Sequence, residues 1–148
     1  TDIYNHAILN TTATFDKEKK SISDRKKWFN SHGSKNPILV AEINKEIVGW
    51  ASLSSYSDKL AYSDTAELSV YVKEDFQRKG VGKKLIMEIV TAGEKAGLHS
   101  LIARINEKKE KSVYLHKVAG FKYVGIYKEV GFKFGKKLDV YLMQKVYK

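Results

Sequence analysis

The sequence predicts an α/β sandwich, a mixed and mostly antiparallel central sheet flanked by helices. Three observations carry that prediction. Short apolar runs of strand length occupy residues 38–43, 47–53 and 66–72, and the apolar period then becomes helical through residues 81–96. Asn44-Lys45 separates the first two runs, a tight-hairpin signal. Gly80 and Gly82 fall where a strand ends and a helix begins.

The elements follow in order. Ile3, Tyr4, Ala7 and Ile8 share one face of an opening helix that has no side-chain cap. Residues 21–31 read as a second short helix, with Ser23 as N-cap and Trp28 and Phe29 turned inward. The hairpin comes next, then the strand over residues 66–72. In the long helix, Val81, Leu85, Ile86, Ile89, Val90 and Ala96 lie opposite Lys83, Lys84, Glu88 and Lys95. Gly97 stands where a left-handed residue ends such a helix. A strand over residues 98–105 leads to a helix over residues 112–119, stopped by Gly120-Phe121 in the Schellman manner. Residues 121–147 supply two more strands, joined around Gly131 and Gly135.

A chain of 148 residues suits one domain, residues 1–148, around one core. With 43% hydrophobic and 30% charged residues it is not a disordered chain. No apolar run reaches the roughly 18 residues of a membrane span. There is no cysteine, hence no thiolate nucleophile and no disulfide; with no signal peptide visible, the expected compartment is the cytoplasm. The net charge of +10 favours an anionic partner. Only Arg25, Arg78 and Arg104 among the 27 cationic residues are arginines, and the lysines are scattered. That argues against nucleic acid, whose sequence is read with the guanidinium fork. A phosphate-bearing small ligand or a plain solvated basic surface remains. No metal is expected, because His6, His32, His99 and His116 lie far apart without i, i+4 partners.

The chemistry concentrates in Gln77-Arg78-Lys79-Gly80-Val81-Gly82-Lys83. The glycines allow turn angles and close approach of a ligand, and the unpaired N–H groups of the helix start make an anion cradle. Arg78, Lys79 and Lys83 add full charges, so the block reads as a pyrophosphate site. It is neither a P-loop, which ends in Gly-Lys-Ser/Thr, nor a dinucleotide fingerprint with three spaced glycines. On spacing alone, a tight strand-to-helix turn with solvated lysines is the alternative.

This block resembles the Gln/Arg-x-x-Gly-x-Gly/Ala signature of the GNAT acetyltransferases. The likeness extends to their phosphinothricin N-acetyltransferase-like subfamily through Ile3-Tyr4-Asn5, Thr11-Thr12-Ala13-Thr14-Phe15-Asp16, Ala61-Tyr62, Ala66-Glu67-Leu68-Ser69-Val70-Tyr71-Val72, Ser112 to His116, Gly120-Phe121 and Lys133-Phe134-Gly135-Lys136-Lys137-Leu138-Asp139-Val140. The resemblance implies a GNAT fold, acetyl-CoA as donor, a primary amine as acceptor and a homodimer. It implies that the strand of Val70 and Val72 splays from its neighbour and offers backbone groups to pantetheine. Gln77, Arg78, Lys79, Gly80, Val81, Gly82 and Lys83 would wrap the pyrophosphate, with Lys109 and Ser112 on the same cofactor. Glu67 falls at the family's base position; a solvated or ion-paired strand face is its alternative. His116 falls where many members place a tyrosine acid, to protonate the departing thiolate or relay the amine proton; a packed helix histidine is its alternative. Phe15, Tyr62 and Tyr71 resemble acceptor-pocket positions; packing in the core is the alternative for each. Tyr114 is expected beside or beneath CoA, and Lys128, Lys133 and Lys136 are candidates to meet an acceptor carboxylate or phosphinate, with a solvated lysine as the alternative for each. Direct transfer fits a chain without cysteine, since an ammonium must first lose a proton.

Two departures qualify the resemblance. Lys109 replaces the family's usual asparagine at the last helix start, where a lysine opposes the dipole unless Glu107 and Glu110 offset it. It is expected to reach a CoA phosphate or to weaken CoA binding. Family chains also begin with a strand and the opening of the first helix, which this sequence reads as lacking. The acceptors implied are phosphinothricin, methionine sulfoximine and methionine sulfone. Polyamines, aminoglycosides and protein N-termini are the alternative. A non-catalytic anion- or nucleic-acid-binding module is the alternative from another class, marked by steep salt dependence without acetyl-CoA.

Overall fold

The computed structural model describes all residues 1–148. Two short helices, α1 (Asp2–Asn10) and α2 (Ile22–Asn30), precede the hairpin of β1 (Ile38–Ile43) and β2 (Glu46–Ser55). Then come β3 (Thr65–Val72), α3 (Val81–Lys95), β4 (Ser100–Asn106), α4 (Glu110–Val118), β5 (Lys122–Lys133) and β6 (Lys136–Val146). The sheet runs β1-β2-β3-β4-β6-β5, and every pair is antiparallel except β3 with β4. This is the mixed, mostly antiparallel sheet the sequence predicts.

Local chemistry explains most boundaries. Both hairpins turn on two residues at positive φ, Asn44 and Lys45 in one, Phe134 and Gly135 in the other, as the twist of paired strands requires. At the end of α4 the Phe121 N–H reaches His116 O at 2.9 Å and the Gly120 N–H reaches Lys117 O at 3.0 Å. Gly120 has φ 96°. That is a complete Schellman motif, and the Phe121 ring folds back onto the His116 ring.

Side chains alternate across the sheet. Gly49 and Leu53 of β2 face α3 at Leu85 and Gly93, while Trp50 and Ser54 face α2 at Trp28 and His32. The main core fills the α3/α4 side, with Leu53, Ile86, Ile89, Leu101 and Met143 sealed from solvent. On the other side the Arg25 guanidinium lies over the rings of Tyr4, Trp28 and Trp50, pinning α1 and α2 to the sheet.

Three local expectations change. The N-cap of α2 is Ser21, not Ser23: Ser21 and Asp24 exchange side-chain-to-backbone hydrogen bonds in a capping box, worth about 1 kcal/mol. Phe29 points outward, because the α2 face that meets the sheet is supplied by Arg25 and Trp28. Gly131 does not join the last strands but lies inside β5, where the Phe15 ring occupies the space its Cβ would need.

Candidate active site

β3 and β4 pair only from Thr65/Ser100 to Leu68/Ala103, and beyond Leu68 the two strands part. The strand geometry fixes which backbone groups this exposes. The Lys73 N–H bonds Val48 O and the Tyr56 N–H bonds Thr65 O, so odd-numbered residues of β3 face β2. With a period of two, Val70 and Val72 turn their N–H and C=O groups toward the gap. Val72 O accepts from Gln77 Nε2 at 3.1 Å, and the Val70 groups have no protein partner.

The start of α3 flanks the gap. Gly80 is its N-cap at φ 85°, and Arg78 holds φ 62°. Lys84 is the first residue whose N–H bonds a carbonyl of the turn, Gly80 O at 3.1 Å. The backbone N–H groups of residues 78–83 have no protein acceptor. A run of free donors at the positive end of a helix, with Arg78, Lys79 and Lys83 around it, is a diphosphate cradle. A cleft of about 460 Å³ connects Arg78, Gly82 and Lys83 to Val70, Lys109 and Ser112.

A second cleft, of about 490 Å³, opens from the same gap and holds Glu67, Arg104 and His116 together with Tyr4, Phe15 and Tyr71. Val70, Lys109 and Ser112 line both clefts. Glu67 approaches Arg104 Nε at 3.4 Å. Burial pushes its carboxyl pKa up, against the lowering effect of Arg104. His116 is 4% exposed. Its Nδ1 lies 2.7 Å from Ser112 O, and a carbonyl only accepts, so Nδ1 carries the proton. Nε2 therefore faces the cleft with a free lone pair. Burial holds the imidazole below the ordinary histidine range.

One wall of this cleft is a strap, residues 11–16, crossing from α1 over the gap. Every carbonyl from Thr11 to Thr14 is held by a side chain. Lys133 Nζ donates to Thr11 O and Thr14 O, both at 2.7 Å, and Asn106 Nδ2 donates to Thr12 O at 2.9 Å. The Tyr71 hydroxyl reaches Ala13 O at 3.4 Å. The Tyr4 hydroxyl bonds Asp16 and Thr14, and its pKa is pushed up to about 12 by burial and by the Asp16 bond. Burial raises the Tyr71 pKa further, so both rings stay neutral donors.

The structure thus brings Glu67, His116, Phe15 and Tyr71 to one cleft, and Val72, Gln77, Arg78, Gly80, Gly82 and Lys83 to the other. Lys79 and Val81 belong to the same turn but border the outer groove beside β1. Tyr62 lines neither cleft and packs on Tyr56 beyond the far end of β3. Tyr114 also lines neither and is solvent-exposed. The three acceptor lysines are otherwise engaged: Lys128 with Asp139 at 2.8 Å, Lys136 with Glu107 at 2.9 Å, and Lys133, only 3% exposed, with the strap. Glu107 is held mainly by Thr12 and Lys136, and Lys109 adds only a lesser charge interaction with it. Tyr4, Arg104 and Asn106 were not singled out from the sequence as site residues. Asn106 meets Thr12 94 residues away and Arg104 meets Glu67 on another strand, while Tyr4 meets Thr14 and Asp16 10 and 12 residues on; no local spacing marks them.

A diphosphate cradle, a free strand edge that can pair with an extended amide-bearing arm, and a proton acceptor beyond it define a CoA-dependent acyltransferase. Residues 1–142 match the Acetyltransferase (GNAT) domain, and the chain belongs to the GNAT acetyltransferase family. It is an N-acetyltransferase that uses acetyl-CoA. It is 37% identical over 144 residues to a phosphinothricin N-acetyltransferase of Streptomyces coelicolor, covering 95% of this chain and 84% of that one. It is 35% identical to an L-methionine sulfoximine/L-methionine sulfone acetyltransferase of Pseudomonas aeruginosa, covering 96% and 84%. A phosphinothricin acetyltransferase of Sinorhizobium meliloti, solved with acetyl-CoA, superposes with a TM-score of 0.95 at 32% identity, covering 99% and 80%. The residues here fit that donor: the free N–H run and Gly82 suit its diphosphate, the Val70 edge its amides. No group of three or more His, Asp or Glu side chains is arranged to hold a metal, and no helix is long and apolar enough to cross a membrane.

Proposed function

We propose that this enzyme acetylates the primary amine of a small amino acid or analogue of the phosphinothricin, methionine sulfoximine or methionine sulfone type. The observation that carries the reading is the charge make-up of the Glu67–His116 cleft. Asp16 and Glu67 stand against Arg104 and Lys109, so the cleft is not the acidic groove a polycation would select. A zwitterion fits it, with the amine toward Glu67 and the acid group toward Arg104. The relatives named for such acceptors support the same assignment.

The chemistry follows from the side chains. Acetyl-CoA supplies an activated thioester. Glu67, with its raised pKa, takes a proton from the ammonium directly or through a water, a contribution of about 10²–10⁴ in rate. The amine then forms the C–N bond as the C–S bond breaks. His116, neutral with Nε2 open to the cleft, receives the second amine proton. The strap and the Tyr4 and Tyr71 rings hold the acceptor in register and keep water out.

The enzyme works as a homodimer through β5. That strand is an open sheet edge, and Tyr123, Val124, Ile126, Tyr127 and Val130 on it are exposed, an apolar surface of the kind a second copy covers. Its compartment is the cytoplasm, where its polyanionic donor is retained. Release of free CoA thiol from acetyl-CoA tests the function, measured with phosphinothricin, methionine sulfoximine, methionine sulfone, spermidine and an amino-acid panel. Turnover with the first three, collapsing in Glu67→Gln while acetyl-CoA binding persists, is the expected result. Turnover with spermidine alone would replace the acceptor class, and full activity in Glu67→Gln would remove the base.

A further inference from the structure

Lys109 sits where fold stability disfavours it. It is the N-cap of α4 and makes no capping hydrogen bond, and its charge lies at the positive end of the helix dipole. No carboxylate lies within ion-pair distance of the cation, and Glu107 feels its charge only as a lesser effect. Glu107, the neighbouring acid, is bonded to Thr12 and paired with Lys136 at 2.9 Å, and neither Glu110 nor any other acid pairs with Lys109.

Its position is specific. Among charged residues, only Lys109 lines both the cleft that holds the diphosphate cradle and the cleft that holds Glu67. The thioester must lie where the two clefts meet, since the amine arrives from one and CoA from the other. Negative charge develops there on sulfur as the C–S bond breaks. Burial disfavours the charged form of His116, which turns cationic only on receiving the amine proton, so it is not a standing positive charge at that point. Arg104 is turned to Glu67.

Resting on the acetyl-transfer reading above, we propose that Lys109 is a catalytic residue whose ammonium faces the thioester sulfur and stabilises the departing CoA thiolate. The electron pair of the broken C–S bond stays on sulfur, the carbonyl carbon keeps its new bond to nitrogen, and the thiolate is held as an ion pair until it is protonated. Of the two protons the ammonium gives to Glu67 and His116, one ends on sulfur and one in solvent. This places Lys109 at the reacting end of CoA rather than at a phosphate.

The test compares wild type with Lys109→Asn, Lys109→Met and Lys109→Arg, reading kcat, KM for acetyl-CoA, affinity for CoA and for desulfo-CoA, and the ultraviolet thiolate absorbance of bound CoA against pH. The thiol of bound CoA is expected to titrate below that of free CoA in wild type and in Lys109→Arg, and to lose this shift in the other two. Their kcat falls about tenfold with KM for acetyl-CoA unchanged, less than the roughly 10²–10³ of an enclosed oxyanion donor, because Lys109 is exposed to solvent. Desulfo-CoA binds all four proteins alike. Lys109→Asn, which restores a good N-cap, raises Tm while lowering kcat, which separates the role from folding. Equal weakening of CoA and desulfo-CoA, or an unchanged thiolate titration, overturns the proposal in favour of a phosphate contact. The binding and absorbance readouts need no acceptor, so they stand even if every acceptor tried is wrong; failure of wild type to bind acetyl-CoA would instead sink the underlying reading.

Discussion

His116 donates its Nδ1 proton to the carbonyl oxygen of Ser112, one turn earlier in α4, at 2.7 Å. A single backbone contact thereby sets the tautomer of a side chain whose other nitrogen faces the Glu67 cleft. The same histidine lies against Phe121, the residue that closes the Schellman motif, so the end of α4 and the orientation of the imidazole are determined together.

Because burial lowers the His116 pKa, the protein should lose stability on the acid side. Between the depressed folded value and the ordinary value of about 6.5, the unfolded chain binds more protons than the folded one. Stability therefore rises with pH across that window and is lost as pH falls through it. His116→Gln removes this contribution, so its Tm should change less with pH below about 6.5 than that of wild type. The acid limb of kcat/KM should flatten as well. An identical acid slope in the variant would assign the titration elsewhere.

Gly82 separates packing from ligand approach. A Cβ there would meet Val72 Cγ2 at 3.7 Å and Leu115 Cδ1 at 4.0 Å, ordinary contact distances, and its φ is not left-handed. Gly82→Ala should therefore stabilise α3 by roughly 0.5–1 kcal/mol. Acetyl-CoA affinity should stay near that of wild type, because the added Cβ points toward Val72 and Leu115 and the family signature admits alanine at this position. Calorimetric Tm and titration of acetyl-CoA read the two effects, and a large loss of affinity would show that the diphosphate packs against the Gly82 Cα itself.

Lys133 is predicted to act on the acceptor through the strap. Lys133→Met leaves Thr11 O and Thr14 O without their donor, at a cost of about 1–3 kcal/mol for each buried acceptor. The strap carries Thr14, Phe15 and Asp16 into the cleft, so KM for the acceptor should rise while the Kd of acetyl-CoA, bound in the other cleft, stays as in wild type. Steady-state kinetics with each substrate varied in turn checks the split. Parallel loss of both affinities would indicate general unfolding instead.

The β5 edge makes a prediction about mass. Val124→Lys places a charge on an exposed apolar strand edge, which opposes pairing with another copy. Light scattering should read a dimer for wild type and a monomer for the variant. A monomeric wild type would leave the apolar edge without this explanation.

What the sequence determined by itself was everything governed by near neighbours. The Asn44-Lys45 turn, the amphipathic face of α3, Gly97 at φ 85°, the Gly120-Phe121 stop and the glycine turn before α3 are all set by φ preference, period and capping. Placement of Glu67, Val70 and Val72 on one strand was legible for the same reason, and the resemblance to a family added their roles. Even at short range a competitor can win, as where Ser21 capped α2 because Asp24 completes its box. Tertiary structure decided the rest. Lys128, Lys133 and Lys136 look alike in sequence, yet Asp139, the Thr11 and Thr14 carbonyls, and Glu107 take them separately. Tyr62 shares a motif with the acceptor positions but packs on Tyr56, and Asn106 reaches back to Thr12 across the splayed strands. The physical reason is that a side chain's partner is chosen by what the fold brings within about 3 Å of its polar atoms, and those atoms come from segments that neither spacing nor period connects.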